Sequence, residues 1–265
     1  MKHLFDNWQE FTGVLGREVH LLFLSDYDGT LTPIVSRPEE ALLAPEMKAR
    51  FVALANKSGV SAGIVSGRGL AEVEGMAGVE GIYYAGNHGM EIRGPGIDYI
   101  NPEAEKAIPV IHELAERFTG LLQAVEGVII QDKKYSLSVH YRLVEPGREQ
   151  GVEEVGRKET EPYIEKNLIR LFHGKKVWEI RPPLDWDKGK AIEEIQREIA
   201  RTLHLGRVTT VYLGDDTTDE DGFRVVQPPE GWSIYVGEPQ ADSAAAYYLK
   251  SPDEVGEFME RIAST

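Results

Sequence analysis

Residues 18–30, Glu18-Val19-His20-Leu21-Leu22-Phe23-Leu24-Ser25-Asp26-Tyr27-Asp28-Gly29-Thr30, pass from a nearly continuous apolar run straight into a polar loop. That is the pattern of a parallel strand buried on both faces, with its carboxyl end open. Two carboxylates two residues apart at the end of such a strand are costly unless something uses them. Asp-Gly is also common in turns, and a turn accounts for this stretch equally well when it is taken alone. A calcium loop fits less well. Counting from Asp26, the glycine stands fourth instead of sixth, and a strand precedes it where a helix should.

Working outward, similar apolar runs recur at 60–65, 82–85, 208–213 and 233–236. Helical spacing lies between them. Pro45 opens one segment in which Met47, Phe51 and Leu54 share a face, and Gly59 stops it. Ile192, Ile195, Ile199 and Leu203 follow Lys188-Gly189-Lys190, and Val255, Phe258, Met259 and Ile262 follow Pro252. Strands alternating with helices predict an α/β fold with a doubly wound, mainly parallel, Rossmann-like core. In such sheets ligands bind at the carboxyl ends of the strands.

The middle of the chain has another texture. Tyr135, Leu137, Val139 and Tyr141 alternate with Ser136, Ser138, His140 and Arg142, the period of an antiparallel strand with one wet face, and Asp132-Lys133-Lys134 reads as the turn before it. Helices are expected over 110–121 and 152–171, and a strand over 177–181 before Pro182-Pro183. The spacing predicts an inserted α+β cap domain, residues 105–181, within a core of residues 1–104 and 182–265.

Composition narrows the function. At 265 residues the chain can bury a sizeable core, and the absence of cysteine excludes disulfides, thiolate zinc sites and thiol catalysis. Any metal must take oxygen or imidazole ligands. A net charge of −15 repels polyanions, so no nucleic-acid partner is expected. The N-terminal apolar run Leu21-Leu22-Phe23-Leu24 is too short to span a bilayer, so a cytoplasmic protein without membrane contact is expected.

A second acidic cluster, Gly214-Asp215-Asp216-Thr217-Thr218-Asp219-Glu220-Asp221-Gly222, again follows a buried strand. Placing Gly222 sixth in a calcium loop would put Thr217 first and Pro228 twelfth, so that register fails at both ends. A solvated acidic loop or a hard-cation site of carboxylates remains. Lys188 stands at a predicted helix start, where the macrodipole disfavours a cation by a few tenths to about 1 kcal/mol. Asp185 and Asp187 would neutralise it in a purely structural role, whereas in a site it would hold an anionic group. Ser66-Gly67-Arg68-Gly69 offers a hydroxyl and backbone N–H groups after the strand at 60–65.

Acid pair, hydroxyl, lysine and acid cluster, in this order, resemble the haloacid dehalogenase superfamily of phosphotransferases. Asp26-Tyr27-Asp28-Gly29-Thr30-Leu31, Ser66-Gly67-Arg68, Gly86-Asn87-His88-Gly89-Met90-Glu91, Val139-His140-Tyr141-Arg142, Glu179-Ile180-Arg181-Pro182, Lys188-Gly189 and Gly214-Asp215-Asp216-Thr217-Thr218-Asp219-Glu220 further resemble the trehalose-6-phosphate phosphatase family within it. The resemblance spans most of the chain, and its last motif is specific.

It implies that Asp26 is the nucleophile, forming an aspartyl-phosphate, and that Asp28 protonates the leaving sugar oxygen and then activates water. Mg²⁺ would be held by Asp26, the backbone carbonyl of Asp28 and Asp215. Ser66 and Lys188 would hold phosphoryl oxygens, and Asp219 would orient Lys188 or a metal-bound water. Lys133 and Glu179 of the cap would recognise the sugar, with Arg68, His88 and Arg142 as further substrate contacts. The expected partner is a small sugar phosphate, trehalose 6-phosphate, with the cap closing over the site. Relatives often read Glu-x-Lys-Gly where this chain has Gln131-Asp132-Lys133-Lys134, and Asn where it has Asp187. With no room for a glycosyltransferase domain, the phosphatase is expected to act alone. Another sugar phosphate as substrate, or a non-catalytic sugar-phosphate sensor, are the alternatives.

Overall fold

The computed structural model describes residues 1–15, 20–174 and 176–265, so Glu18 and Val19 of the opening stretch lie outside the described residues. After strand β1 (Lys2–His3) and helix α1 (Trp8–Leu15), the apolar run folds as strand β2 (His20–Ser25), buried from Leu21 onward. Next come α2 (Pro45–Ala55), β3 (Val60–Val65), α3 (Leu70–Ala77), β4 (Tyr83–Gly86), β5 (Glu91–Gly94) and β6 (Ile97–Ile100). The middle of the chain supplies α4 (Pro102–Leu122), β7 (Ile129–Asp132), β8 (Leu137–His140), α5 (Glu149–Glu165), β9 (Arg170–Gly174) and β10 (Val177–Arg181). The remainder is α6 (Lys188–Thr202), β11 (Val208–Gly214), α7 (Glu220–Val225), β12 (Gly231–Val236), β13 (Tyr247–Leu249) and α8 (Pro252–Ser264).

The described chain divides into two compact units, Met1–Tyr99 with Trp186–Thr265, and Ile100–Asp185. The breaks fall a few residues outside the insert ends expected from sequence. On the first unit's side of both breaks, Tyr99 stacks on Trp186 with ring centroids 5.5 Å apart.

The large sheet runs β1-β13-β12-β11-β2-β3-β4-β5-β6. Pairing is parallel from β1 through β4, and β5 turns back antiparallel to β4. Its core follows from period two along β2. Leu21 and Phe23 join Phe51 of α2 and Phe258 of α8 on one face, while Leu22 and Leu24 join Ile192, Ile195 and Ile199 of α6 on the other. A strand packed on both faces must be apolar at every position, and each fully buried Leu or Phe contributes about 1.5–3 kcal/mol. From β2 the chain winds outward through β3 and β4, then returns to the opposite side of β2 as β11. The strand order therefore reverses at β2 and β11, and the crevice beyond their carboxyl ends is where such a sheet takes ligands.

The second unit is an antiparallel sheet, β7-β8-β10-β9, with α4 and α5 packed on Leu137, Val139, Trp178 and Ile180. Three sequence expectations change here. Helix α4 starts at Pro102, well before 110, because Asn101 caps it by accepting from the Glu103 and Ala104 N–H groups and the helix continues through Pro109. Helix α5 stops at Glu165 and not at 171. Asn167 turns left-handed at φ 52°, Leu168 N–H closes on the Tyr163 carbonyl, and Leu171 belongs to β9. Finally, the expected wet face of β8 is not wet at its serines. Ser136 and Ser138 are buried, and Ser138 pairs in register with Gln131 and Glu179, whose longer side chains flank it on the same face.

Candidate active site

Register brings the two acidic loops together. Ser25 of β2 pairs with Leu213 of β11, and Asp26 N–H donates to the Leu213 carbonyl at 2.8 Å, so Asp26 and the Gly214-Asp215 turn leave the sheet side by side. Two glycines make room for the carboxylates. A Cβ on Gly29, whose φ is +84°, would stand 2.2 Å from Asp215 Oδ2, and one on Gly214 would stand 2.3 Å from Asp219 Cγ.

Lys188 is the first residue of α6, and Asp187 caps that helix by accepting the Lys190 N–H at 2.9 Å. Asp187 is thus occupied with the helix end, and the ammonium turns elsewhere. Its Nζ donates to Asp26 Oδ1 and to Asp219 Oδ1, both at 2.7 Å, with the lysine 2% exposed. Burial alone would push Lys188 down, but Asp219 and Asp26 outweigh it and hold the ammonium well above its usual range.

Asp219 is locked from four sides. Besides Lys188, its Oδ1 accepts the Tyr212 hydroxyl at 2.5 Å, and its Oδ2 accepts the Asp215 and Asp216 N–H groups at 3.1 Å. Tyr212 escaped the sequence reading, although a tyrosine two residues before Gly214 in a fully buried strand is a legible sign that a hydroxyl needs a partner. Burial and then the charge of Asp219 push its hydroxyl well above the ordinary range, so it stays a donor. Tyr212→Phe removes one bond to a buried carboxylate while keeping the ring. It should cost about 1.5–3 kcal/mol in urea unfolding, and no measurable loss would mean that the bond is idle.

The site carries more negative than positive charge. Carboxylate oxygens of Asp26, Asp215 and Asp219 lie within 4.8 Å of one another, and Lys188 is the cation among them. Burial raises Asp26, an effect that Lys188 opposes and Asp219, Asp215 and Asp28 reinforce. Burial, then Asp219, pushes Asp215 up to about 7. Three carboxylates against one ammonium leave room for a divalent cation by charge, and oxygen donors suit a hard one. Asp219 has its oxygens consumed, which leaves Asp26 and Asp215 as the side chains that fit such an ion.

A raised folded-state pKa means that protons favour the fold. Stability contributed by Asp215 is complete below its unfolded value near 4 and is lost as pH rises through about 7. The melting temperature of metal-free protein should therefore fall over that window, and Asp215→Asn should flatten the slope. A slope unchanged in Asp215→Asn would refute the assignment.

The structure brings Asp26, Asp28, Ser66, Arg68, His88, Lys188, Asp215 and Asp219 into the first unit. Ser66 is buried at the end of β3, and its Oγ accepts the Arg68 N–H at 3.1 Å. His88 is buried with a left-handed backbone, φ 56°, its ring against Gly67. Arg68, expected at the substrate, instead grips the Asp28 carboxylate through Nε and Nη2, each at 2.7 Å. In the second unit Lys133 Nζ lies 3.5 Å from Glu179 Oε1, whose other oxygen accepts from Arg181 at 2.5 Å. Arg142 stands on an exposed turn after β8.

Comparison with known proteins agrees with this geometry. Residues 24–253 match the family model described as trehalose-phosphatase. "Probable trehalose-phosphate phosphatase 4" of Oryza sativa subsp. japonica is 36% identical over 91% of this chain and 65% of its own length. "Trehalose-phosphate phosphatase" of Mycobacterium avium (strain 104) is 37% identical over 99% of this chain and 68% of its own. The chain thus spans about two thirds of the length of these relatives. Among solved structures, the C. albicans trehalose-6-phosphate phosphatase C-terminal domain superposes with a TM-score of 0.80 at 22% identity, covering 100% of this chain and 99% of that one, a likeness of fold. Among the described residues no helix is long and apolar enough to cross a membrane. A family model that covers most of the chain, both acidic loops and the lysine included, shows that the chain belongs to the trehalose-phosphatase family.

Proposed function

We propose that this chain hydrolyses trehalose 6-phosphate to trehalose and phosphate through a phosphoaspartate on Asp26. The observation that carries the reading is Lys188 bonded to both Asp26 and Asp219 at the switch point of the sheet, beside Asp215. The lysine occupies one oxygen of Asp26 and leaves Oδ2 for attack. As the bond from Asp26 to phosphorus forms, the bond from phosphorus to the sugar oxygen breaks, and Asp28 supplies that oxygen with a proton. Water then attacks phosphorus and gives its proton to Asp28, releasing phosphate and restoring Asp26. Lys188 and the Ser66 hydroxyl hold phosphoryl oxygens, and Asp219, fixed by Tyr212, keeps the lysine aimed. A divalent cation, Mg²⁺ in this reading, held by Asp26, Asp215 and the Asp28 backbone carbonyl, would offset the charge between carboxylate and phosphoryl group.

The sugar is inferred from the relatives' names and from the Lys133, Glu179 and Arg181 chain, whose charged groups suit a hydroxyl-rich ligand. The test is phosphate release from trehalose 6-phosphate and from sucrose, glucose and mannosyl-glycerate phosphates, with Mg²⁺ and with EDTA. Fast, EDTA-sensitive turnover of trehalose 6-phosphate alone supports the whole reading. Metal-dependent turnover led by another sugar keeps the core chemistry and overturns the sugar. No release from any of them points to a sensor.

A further inference from the structure

We infer that Arg68, braced by Glu72, is the positioning residue of Asp28 and holds its carboxylate in place for proton transfer, an assignment that rests on the phosphatase reading above. Arg68 has no donor to spare. Its Nε donates to Asp28 Oδ2 at 2.7 Å, and its Nη2 to Asp28 Oδ1 at 2.7 Å and to the Pro38 carbonyl at 2.8 Å. Its Nη1 faces Glu72 Oε1 at 2.5 Å and Met76 Sδ at 3.2 Å. An arginine that grips an incoming phosphate must keep donors open for it, and the five N–H groups here already have acceptors.

Burial points the same way. The Arg68 side chain is 8% exposed, against 41% for Asp28, and its guanidinium lies 5.8 Å from the centre of the Tyr27 ring. The fixed partner is thus inside and the reactive one outside. An aspartate that exposed would otherwise exchange rotamers freely, and a bidentate fork removes that freedom while leaving each carboxylate oxygen a further lone pair. The fork is itself anchored: Glu72 sits in the first turn of α3, four residues on from Arg68, and the Arg68 carbonyl accepts the Asn87 N–H at 2.6 Å. Two residues from Asp26 along the chain, Asp28 is therefore held by a neighbouring strand's loop and not by its own.

The test uses leaving groups of different need. Trehalose 6-phosphate leaves as an alkoxide that must be protonated, whereas p-nitrophenyl phosphate leaves as a stable phenolate that needs no acid. For Arg68→Lys, which keeps the charge and loses the fork, kcat/KM on trehalose 6-phosphate, which reports leaving-group departure and not the later attack of water that both esters share, should fall ~10–100-fold. On p-nitrophenyl phosphate kcat/KM should fall no more than about threefold, with the inhibition constant of inorganic phosphate little changed. Glu72→Gln, which only loosens the brace, should reproduce the same split at ~3–10-fold and serves if Arg68→Lys does not fold. Equal losses on both esters would reduce Arg68 to a structural role and overturn the inference. A raised KM with weakened phosphate inhibition would make it a phosphate ligand and overturn it too. Wild-type turnover of trehalose 6-phosphate, measured in the same series, checks the underlying reading separately.

Discussion

Asp26→Asn should abolish phosphate release, by ~10⁴-fold or more, in a protein that still folds. The amide has nearly the shape of the carboxylate, so the sheet end and the neighbouring loop are kept. What it lacks is the charged oxygen that attacks phosphorus in the proposed reaction. Folding should survive because the buried cluster has carboxylates to spare: Lys188 retains Asp219, and one of the charges that burial disfavours is gone. The melting temperature of the metal-free variant is therefore expected to match or exceed that of the wild type at pH 8. Phosphate release and thermal unfolding of the same preparation check both halves. Retained turnover would remove the covalent mechanism, and lost folding would show that Asp26 is structural first.

Lys188→Met is the opposite experiment on the same contact. Methionine keeps the apolar stem and removes the ammonium, leaving Asp26 and Asp219 buried without a cation between them. Breaking a buried pair from one side costs about 3–5 kcal/mol, and turnover should fall at least ~10²-fold with the phosphoryl ligand gone. The sign with pH separates this charge effect from lost packing. Asp26 already has its pKa raised in the fold, so its protonation stabilises the folded state. The deficit of Lys188→Met should accordingly shrink as pH is lowered from 8 to 5, read by urea unfolding with EDTA present. A deficit that is constant with pH would assign the loss to packing.

Much of the core was legible because its strands are buried on both faces. The runs at 60–65 and 208–213 correspond to β3 and β11, and the helix beginning at Lys188 is α6. The second unit was less legible, since its helix ends depend on local geometry that pattern does not carry. The helix expected from 110 begins at Pro102 and runs through Pro109, while Asn167 ended α5 by adopting a left-handed backbone. The hairpin of β5 and β6 was missed because each strand has only four residues, too few for a period to stand out.

The site divides in the same way. Asp26, Ser66, Lys188 and Asp215 each carry their own sign in the sequence, a polar group at the end of an apolar run or at a helix start. Arg68 does not show its role there. The family resemblance implied a substrate contact, and its guanidinium donates to Asp28, 40 residues away along the chain. Tyr212 likewise shows in the sequence only that a buried hydroxyl needs a partner, and the fold makes that partner Asp219.

By itself the sequence determined the α/β alternation, the two acidic strand ends and the family. Those depend on local periodicity and on the desolvation cost of a charge beside an apolar run, both of which a one-dimensional pattern expresses. Only the tertiary structure decided which cation meets which carboxylate. Lys188 reaches Asp26 across 162 residues of chain and Asp219 across 31, and Arg68 holds Asp28 through two parallel bonds. Such pairings follow from strand order and register, which set distances of a few ångströms between remote side chains, and period two is compatible with many strand orders.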